Sequence, residues 1–262
     1  MELPAPRRND PTGVPGLDLV LGGGLRRGAM LLLIGPPGGG KTTLAAQLAF
    51  AAVAAGRRVA FFTALSESTD KLIAHLQTLD FFAPDAVGDA LQVFSAQQFL
   101  VAGLTGLADA VVNEARQQRA DLVVVDGYQG ARGAGGEAQV GRQFLYDIGG
   151  RLNLLGATLI VTTTAMGGAS DIPEEATTAD AIVQLASTFV GVRQRRTLRV
   201  IKVRGAAPLP GVHGLALGAT GVTVYPTLEA RVAVDRPTPP GARSDRATFG
   251  LPELDTLLGG VA

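Results

Sequence analysis

The sequence predicts an α/β fold with a mainly parallel, twisted sheet that is flanked by helices and carries antiparallel strands at one edge. Two observations lead to this prediction. Short apolar runs alternate with segments of helical periodicity up to about residue 180, as in repeated strand–helix units. After residue 180, strand patterns follow one another closely and are separated only by glycine-containing turns, which favours antiparallel pairing.

The period of the apolar residues gives the individual elements. Strands are predicted for the apolar runs 29–34, 58–65, 91–94, 121–126 and 157–163. Helices are predicted between them, at 41–56, 69–80, 97–118 and 137–154. The late strands are predicted at 181–186, 197–203, 213–217 and 221–225. Ser68 is the expected N-cap of the second helix, and Asp70 lies favourably in its first turn.

Composition and charge exclude several classes of function. The 262 residues include 23 basic and 23 acidic ones, and this balance argues against a general nucleic-acid or anionic-membrane surface. With no cysteine and two histidines, disulfide frameworks, thiolate nucleophiles and zinc clusters are excluded. No apolar segment approaches the roughly 20 residues of a membrane span, and the N-terminus lacks a signal-peptide core. We therefore expect a soluble, cytoplasmic protein without membrane contacts.

The two ends of the chain differ in composition from its middle. Residues 1–11 are polar and contain proline, and they predict a flexible tail before a domain of residues 12–232. Residues 233–247 are rich in proline and have no apolar period, which predicts a linker.

A repeat connects the C-terminus with the beginning of the domain. Residues 250–260, GLPELDTLLGG, match residues 13–23, GVPGLDLVLGG, at seven of eleven positions. A repeat at this separation indicates duplicated whole domains rather than a solenoid. We therefore predict that residues 248–262 are the truncated start of a second domain.

A glycine-rich motif lies between the first apolar run and the first helix. Residues 35–42, GPPGGGKT, match the phosphate-binding pattern G-x-x-x-x-G-K-[ST]. Glycines let successive N–H groups point at phosphate oxygens, and the helix N-terminus adds its positive end. Lys41 can reach the β- and γ-phosphates, and Thr42 can offer its hydroxyl to Mg²⁺. The predicted nucleotide-binding residues are Gly35, Pro36, Pro37, Gly38, Gly39, Gly40, Lys41, Thr42 and Thr43.

Two carboxylates are candidates for the chemistry at this loop. Asp126 ends the apolar run that begins at Leu122, and ligands bind at the carboxyl ends of parallel strands, so we expect it beside Mg²⁺. Glu67 follows the strand 58–65 and is the candidate base for the attacking water. The alternatives are a helix-capping role for Asp126 and a first-turn helical role for Glu67. The threonines 162–164 end the next strand, as γ-phosphate sensors or as ordinary strand residues.

The combined motifs resemble those of the RecA-like P-loop ATPases of the KaiC circadian-clock family. The segments that carry the resemblance are GVPGLDLVLGGG, GPPGGGKTT, LSES and LVVVDG, and the similarity covers residues 12–230. It implies a RecA-like P-loop NTPase fold, ATP and Mg²⁺ as cofactors, and a hexameric ring with nucleotide at the subunit interfaces. It also implies tandem domains and regulatory protein partners. The family's autokinase activity resides in its second domain and is not assigned to this one.

The same resemblance assigns a role in a neighbouring subunit to a late basic segment. In the family a Lys-x-Arg-Gly segment reaches the γ-phosphate of the neighbour, and Lys202, Arg204 and Gly205 match it here. Lys202 and Arg204 are two residues apart, so both are expected on one face of a strand, although an ordinary solvated edge strand is the alternative. Two segments depart from the family pattern. Ser66-Glu67 replaces paired glutamates, and Ala206-Ala207-Pro208 replaces polar residues.

Two other functions compete with a slow, regulatory ATPase. A DNA-acting recombinase or helicase would need basic and aromatic residues in loops 127–137 and 165–180. The first of these loops has one Arg and one Tyr, and the second is acidic, so nucleic acid is an unfavourable partner. A scaffold that uses ATP only for assembly, with negligible turnover, is the other alternative.

Overall fold

We describe a computed structural model of the chain. It describes residues 9–63, 68–100, 103–127, 138–164 and 174–230. The chain divides into a unit that ends at Thr227 and a second unit of residues 228–262. The second unit is described only at residues 228–230, so the predicted linker and second-domain start lie outside the described residues and remain predictions.

The elements follow the predicted alternation of strand and helix. In the described part of the chain the strands are β1 (Asn9–Asp10), β2 (Leu25–Arg26), β3 (Met30–Gly35), β4 (Val59–Thr63), β5 (Leu91–Ser95), β6 (Leu122–Val125), β7 (Thr158–Thr164), β8 (Ala181–Val190), β9 (Arg193–Val203), β10 (His213–Gly218) and β11 (Gly221–Tyr225). The α-helices described there are α1 (Leu17–Leu21), α2 (Lys41–Ala54), α3 (Thr69–Leu76), α4 (Gly103–Gln117) and α5 (Ala138–Leu154). Short 3₁₀ turns lie at Pro84–Ala86, Ala96–Gln98 and Glu174–Thr178.

Nine of the described strands form one sheet, which confirms the predicted α/β architecture. Their order is β11-β10-β9-β8-β3-β7-β6-β4-β5. The pairs from β8 to β5 are parallel, and β9, β10 and β11 continue the sheet as an antiparallel edge. The first late strand, β8, therefore pairs parallel with β3, and antiparallel pairing begins one strand later than the sequence predicts. Strands β1 and β2 form a separate two-stranded antiparallel sheet.

Apolar side chains cover both faces of the sheet, as expected for parallel strands with helices on each side. One buried cluster joins the sheet to α1 and α2. Its strand residues include Leu33, Phe61, Val124 and Ile160. The other cluster joins the opposite face to α4 and α5. Its strand residues include Leu32, Phe62, Val125 and Leu159.

Helix α3 begins as predicted and ends four residues early. The Ser68 hydroxyl accepts a hydrogen bond from the Lys71 N–H at 3.4 Å, which confirms the predicted N-cap. At the other end, the hydroxyl of Thr78 donates to the carbonyl of His75 at 2.7 Å, and the following main-chain bonds span three residues. A threonine hydroxyl that competes for a helical carbonyl ends the regular ladder, so the helix does not reach residue 80.

Asn9 and Asp10 fall in the predicted flexible tail but form β1. Asp10 explains the difference, because its carboxylate accepts hydrogen bonds from Arg27 and Arg57, each at 2.9 Å. These contacts hold the chain against the residue that follows β2 and against the segment after α2. Among the helices that the structure describes, none combines the length and the hydropathy of a membrane span.

Candidate nucleotide-binding site

The glycine-rich segment forms a tight loop between β3 and α2. Gly38 and Gly40 have φ angles of +70° and +94°, in the left-handed region that favours glycine. The Gly39 N–H donates to the Pro36 carbonyl at 3.1 Å and closes the turn. Gly40 is the N-cap of α2 and has no side chain to bind the free N–H groups of the first turn. Those groups are consequently available to an anion.

The start of the loop is packed tightly against the neighbouring strand. A β-carbon on Gly35 would lie 2.6 Å from the backbone oxygen of Leu185 in β8. Such a distance is far inside van der Waals contact, so only glycine fits here. Pro37 and Gly38 are exposed at the apex of the loop, whereas Thr43 is buried in the first turn of α2.

The ammonium group of Lys41 lies inside the loop. It donates to the backbone carbonyls of Gly35 and Pro36, each at 2.9 Å, and the residue is 9% exposed. Burial lowers the pKa of Lys41, and the nearby Asp126 charge opposes that shift. The loop therefore holds a cation whose hydrogen-bond partners are main-chain oxygens rather than a carboxylate.

Asp126 joins the loop helix to the neighbouring strand. Its Oδ2 accepts from the Thr42 hydroxyl at 2.9 Å, and its Oδ1 accepts from the Thr162 hydroxyl at 2.6 Å. The Thr162 oxygen in turn accepts from the Gly127 N–H at 2.7 Å. Burial raises the pKa of Asp126, while the hydroxyls of Thr162 and Thr42 and the charge of Lys41 oppose the rise. Thr42 and Asp126, the two predicted metal-site residues, are thus in direct contact.

The register of the sheet explains why these side chains meet. In the pairing of β6 with β7, Val125 is opposite Val161, so Asp126 comes next to Thr162 at the carboxyl ends of the strands. The sequence leaves open whether the threonines 162–164 sense the γ-phosphate or are ordinary strand residues, and it does not predict that Thr162 orients Asp126. Only the adjacency of β6 and β7 reveals that role, and sequence spacing does not contain it.

Thr63 was not singled out by the sequence and lies in the same row of strand ends. Phe62 is opposite Val125 in the pairing of β4 with β6, so Thr63 follows beside Asp126. Within the described residues, the hydroxyl oxygens of Thr63 and Thr163 are buried without a hydrogen-bond partner.

Glu67, the predicted base, lies outside the described residues, as do most of the loops 127–137 and 165–180.

Lys202 and Arg204 lie at the opposite end of the sheet from Lys41. The Arg204 N–H donates to the Asp180 carbonyl at 2.9 Å, and the Asp180 carboxylate accepts from the N–H of Met30 at 2.9 Å. Met30 is the first residue of β3, whereas the phosphate loop follows its last residue. At about 3.3 Å per residue, the strand separates the two groups by about 17 Å. The two cations are therefore remote from the loop of their own chain.

Both cations have partners within their own subunit. Lys202 Nζ donates to the carbonyls of Ala179 at 2.7 Å and Thr177 at 3.2 Å, and burial lowers its pKa, as does the nearby Arg204 charge. The guanidinium of Arg204 lies 3.4 Å from Asp180 and is 56% exposed. Arg204 follows the last residue of β9, so strand alternation, from which one shared face was predicted, does not govern its direction.

The donor set at the loop fits ATP with Mg²⁺. Main-chain N–H groups at a helix N-terminus and one ammonium group suit a polyphosphate. A threonine hydroxyl bonded to a carboxylate suits a hard divalent cation that keeps part of its water shell. Space for a ligand is present at the apex, because a β-carbon on Gly38 would meet nothing within 4 Å.

Comparison with known proteins decides the family. The sequence model of the protein family described as ATPase KaiC matches residues 10–229 of this chain. The chain belongs to the KaiC family of ATPases. A circadian clock oscillator protein KaiC of Thermostichus vulcanus is 26% identical over 264 residues, which cover 95% of this chain and 49% of the relative. The KaiC proteins of Parasynechococcus marenigrum and Rippkaea orientalis are 26% and 27% identical over 160 residues, which cover 60% of this chain and 30% of each relative. The chain thus spans at most about half the length of these KaiC relatives.

The raised pKa of Asp126 predicts a pH-dependent difference between the wild type and Asp126→Asn. The carboxyl is protonated in both the folded and the unfolded chain below about pH 4, so its contribution to stability is fully present there. As pH rises through the folded-state pKa, the unfolded chain ionises first and this contribution is lost. Asparagine stays neutral, so the free energy of unfolding of the wild type relative to Asp126→Asn should fall as the pH rises above about 4.

Urea unfolding at several pH values measures this difference, and parallel stability curves for the two proteins would contradict it. Because Asp126 accepts a hydrogen bond from Thr42, the variant should also lose about tenfold or more of the Mg²⁺-dependent part of its nucleotide affinity. Thr12→Ala is a control for the affinity measurement, since Thr12 is also buried but its hydroxyl contacts the Val14 N–H, away from the loop.

Proposed function

We propose that this chain binds ATP with Mg²⁺ and hydrolyses it slowly in a homo-oligomeric ring, hexameric as in the proteins it resembles, with nucleotide at the subunit interfaces. The observation that carries the proposal is the 2.9 Å hydrogen bond between Thr42 and Asp126 directly behind a glycine-rich loop. Membership of the KaiC family of ATPases agrees with it.

Each group at the loop has a definite task in this proposal. The N–H groups of Gly38 and of Gly40 to Thr43 hold the phosphate oxygens, whereas the Gly39 N–H keeps its bond to Pro36. Lys41 exchanges its two carbonyl partners for the β- and γ-phosphates. Thr42 and Asp126 would hold Mg²⁺, which screens phosphate charge when bound. Thr162 keeps the Asp126 carboxylate in one orientation through the 2.6 Å hydrogen bond. The chain thereby binds and orients the triphosphate before hydrolysis.

The position of Arg204 supports a site shared between subunits. About 17 Å of strand β3 lie between it and the loop of its own chain, which is more than an arginine side chain can bridge. A γ-phosphate bound by an adjacent subunit is the phosphate within reach, and a guanidinium there would stabilise the charge of the transition state. Lys202 would join it after giving up its contacts with Thr177 and Ala179.

Glu67 is the proposed base for the attacking water, and Glu67→Gln tests the hydrolytic function. The amide cannot accept the proton, so phosphate release should fall by at least about 100-fold while ATP binding and assembly persist. Phosphate release and native mass, each with and without ATP and Mg²⁺, are the measurements. Glu114→Gln is a matched control on α4, where the same change should leave turnover unaltered.

Equal, very slow turnover of the wild type and Glu67→Gln would favour the scaffold, in which ATP serves only assembly. A salt-dependent shift of DNA by the intact protein would instead favour a nucleic-acid function.

The biological role that we propose is regulatory or signalling. The relatives in Thermostichus vulcanus and Rippkaea orientalis are named circadian clock oscillator proteins. A slow ATPase that assembles with nucleotide suits a timing or switching role better than a metabolic one. Regulatory proteins are the proposed partners, and co-purification with the intact ring is the experiment that identifies them.

A further inference from the structure

A cleft of about 310 Å³ opens at the amino end of β3, next to Arg204. Three arginines line it, Arg26, Arg27 and Arg204, together with Asp180 and Asn153. It lies at the end of the sheet opposite the phosphate loop of the same chain. Its charged lining residues are therefore three arginines and one aspartate, which leaves a net positive charge. Of these arginines, the sequence motifs point only to Arg204.

The charges of this cleft are unequally compensated. Arg27 Nε lies 2.9 Å from the Asp10 carboxylate, which also binds Arg57. Arg204 faces Asp180 at 3.4 Å. The side chain of Arg26 makes no hydrogen bond or ion pair with any residue that the structure describes. Arg26 thus adds a positive charge that no described carboxylate neutralises.

The backbone holds Arg26 at a fixed place beside Arg204. Arg26 pairs with Asn9 in the small sheet, and its carbonyl accepts from the Ala29 N–H at 3.1 Å. Its guanidinium lies over the turn that follows Arg204, where Nη1 is 3.3 Å from the position that a β-carbon on Gly205 would take. Gly205 has a φ of +76° and leaves this space open. The two guanidinium groups accordingly share one cleft.

We propose that Arg26 is a further cation that each subunit contributes to the triphosphate bound by its neighbour. The inference rests on the proposed function, because it requires a phosphate group of an adjacent copy to enter this cleft beside Arg204. Guanidinium groups bind phosphate oxygens through two parallel hydrogen bonds. Arg204 and Lys202 must exchange existing partners for phosphate, whereas Arg26 has no described partner to give up.

Arg26→Gln in the full chain tests this inference. Phosphate release by the assembled protein should fall by about tenfold, as expected for one charge-assisted hydrogen bond. Arg26→Lys, which keeps the charge, should retain part of the activity. The thermal unfolding midpoint should not change, because Arg26 is exposed and has no described partner to lose. Arg116→Gln on α4 is the charge-matched control and should release phosphate like the wild type.

Mixed assemblies give a readout that a merely structural role would not move. Arg26→Gln subunits keep an intact loop, and Lys41→Ala subunits keep Arg26, so mixing the two should restore phosphate release at the junctions between them. If Arg26→Gln behaves like Arg116→Gln while Arg204→Ala still reduces turnover, the inference is wrong and the proposed function stands. If the wild type does not release phosphate, or Arg204→Ala does not reduce it, the proposed function fails and the inference with it.

Discussion

Replacing Lys41 by alanine is expected to weaken ATP binding by about 100-fold or more. The ammonium group is the cation inside the loop, and charge-assisted hydrogen bonds to phosphate are among the strongest in proteins. Water can reach the shortened side chain but cannot replace a positive charge at the β- and γ-phosphates. Isothermal titration calorimetry with ATP and Mg²⁺ measures the effect directly.

The chain offers a matched control in Lys71, which is exposed on α3. Lys71→Ala removes the same charge outside the loop and should leave the affinity unchanged. Because burial lowers the pKa of Lys41, the alanine variant removes a charge that folding disfavours and should still unfold cooperatively. Unchanged ATP affinity in a folded Lys41→Ala protein would contradict the site.

Replacing Arg204 by alanine is expected to slow hydrolysis by about 1,000-fold while each subunit still binds ATP. This magnitude is the lower range for arginine groups that stabilise the transition state of phosphoryl transfer from a neighbouring chain. The loss of the contact with Asp180 should matter little for stability, since the pair is half-exposed and 3.4 Å apart. Single-turnover hydrolysis and ATP titration, performed on the same preparation, separate the two effects.

Mixing Arg204→Ala with Glu67→Gln subunits tests whether the site is shared. The loop of an Arg204→Ala subunit, placed beside the intact Arg204 of a Glu67→Gln subunit, forms a complete site. Mixed assemblies should therefore regain hydrolysis that neither variant has alone. A mixture that stays inactive, although native mass measurements detect mixed assemblies, argues against a contribution in trans.

The sequence predicts the parts of the site that are contiguous along the chain. The loop from Gly35 to Thr42 needs only local conformation, so its position between β3 and α2 follows from the motif and the flanking apolar periods. Asp126 is also recognisable, because it ends a buried strand. The contact between Thr162 and Asp126 is different, since it depends on which strands are neighbours, and strand order is a property of the folded sheet.

The sequence does not predict the structure around Arg204, at the end of the sheet opposite the phosphate loop, for the same reason. The place of Arg204 depends on the parallel pairing of β8 with β3, and close spacing of late strands suggests antiparallel pairing instead. Residues 193–196 are polar or basic, so no alternation of apolar side chains predicts a strand there. They are in β9 because their main-chain groups pair with β8, and this contribution of the backbone is independent of side-chain hydropathy.

Strand β3 connects the phosphate loop with the segment that holds Arg204. The N–H of its first residue, Met30, donates to Asp180, whose carbonyl accepts from the Arg204 N–H, and its last residue, Gly35, begins the phosphate loop. In the proposed ring, β3 of each subunit would then lie between two successive nucleotides. The nucleotide of its own subunit would be at its carboxyl end, and that of the neighbouring subunit near its amino end. Occupancy of adjacent positions would not be independent, and turnover around the circle would carry a cooperative signature.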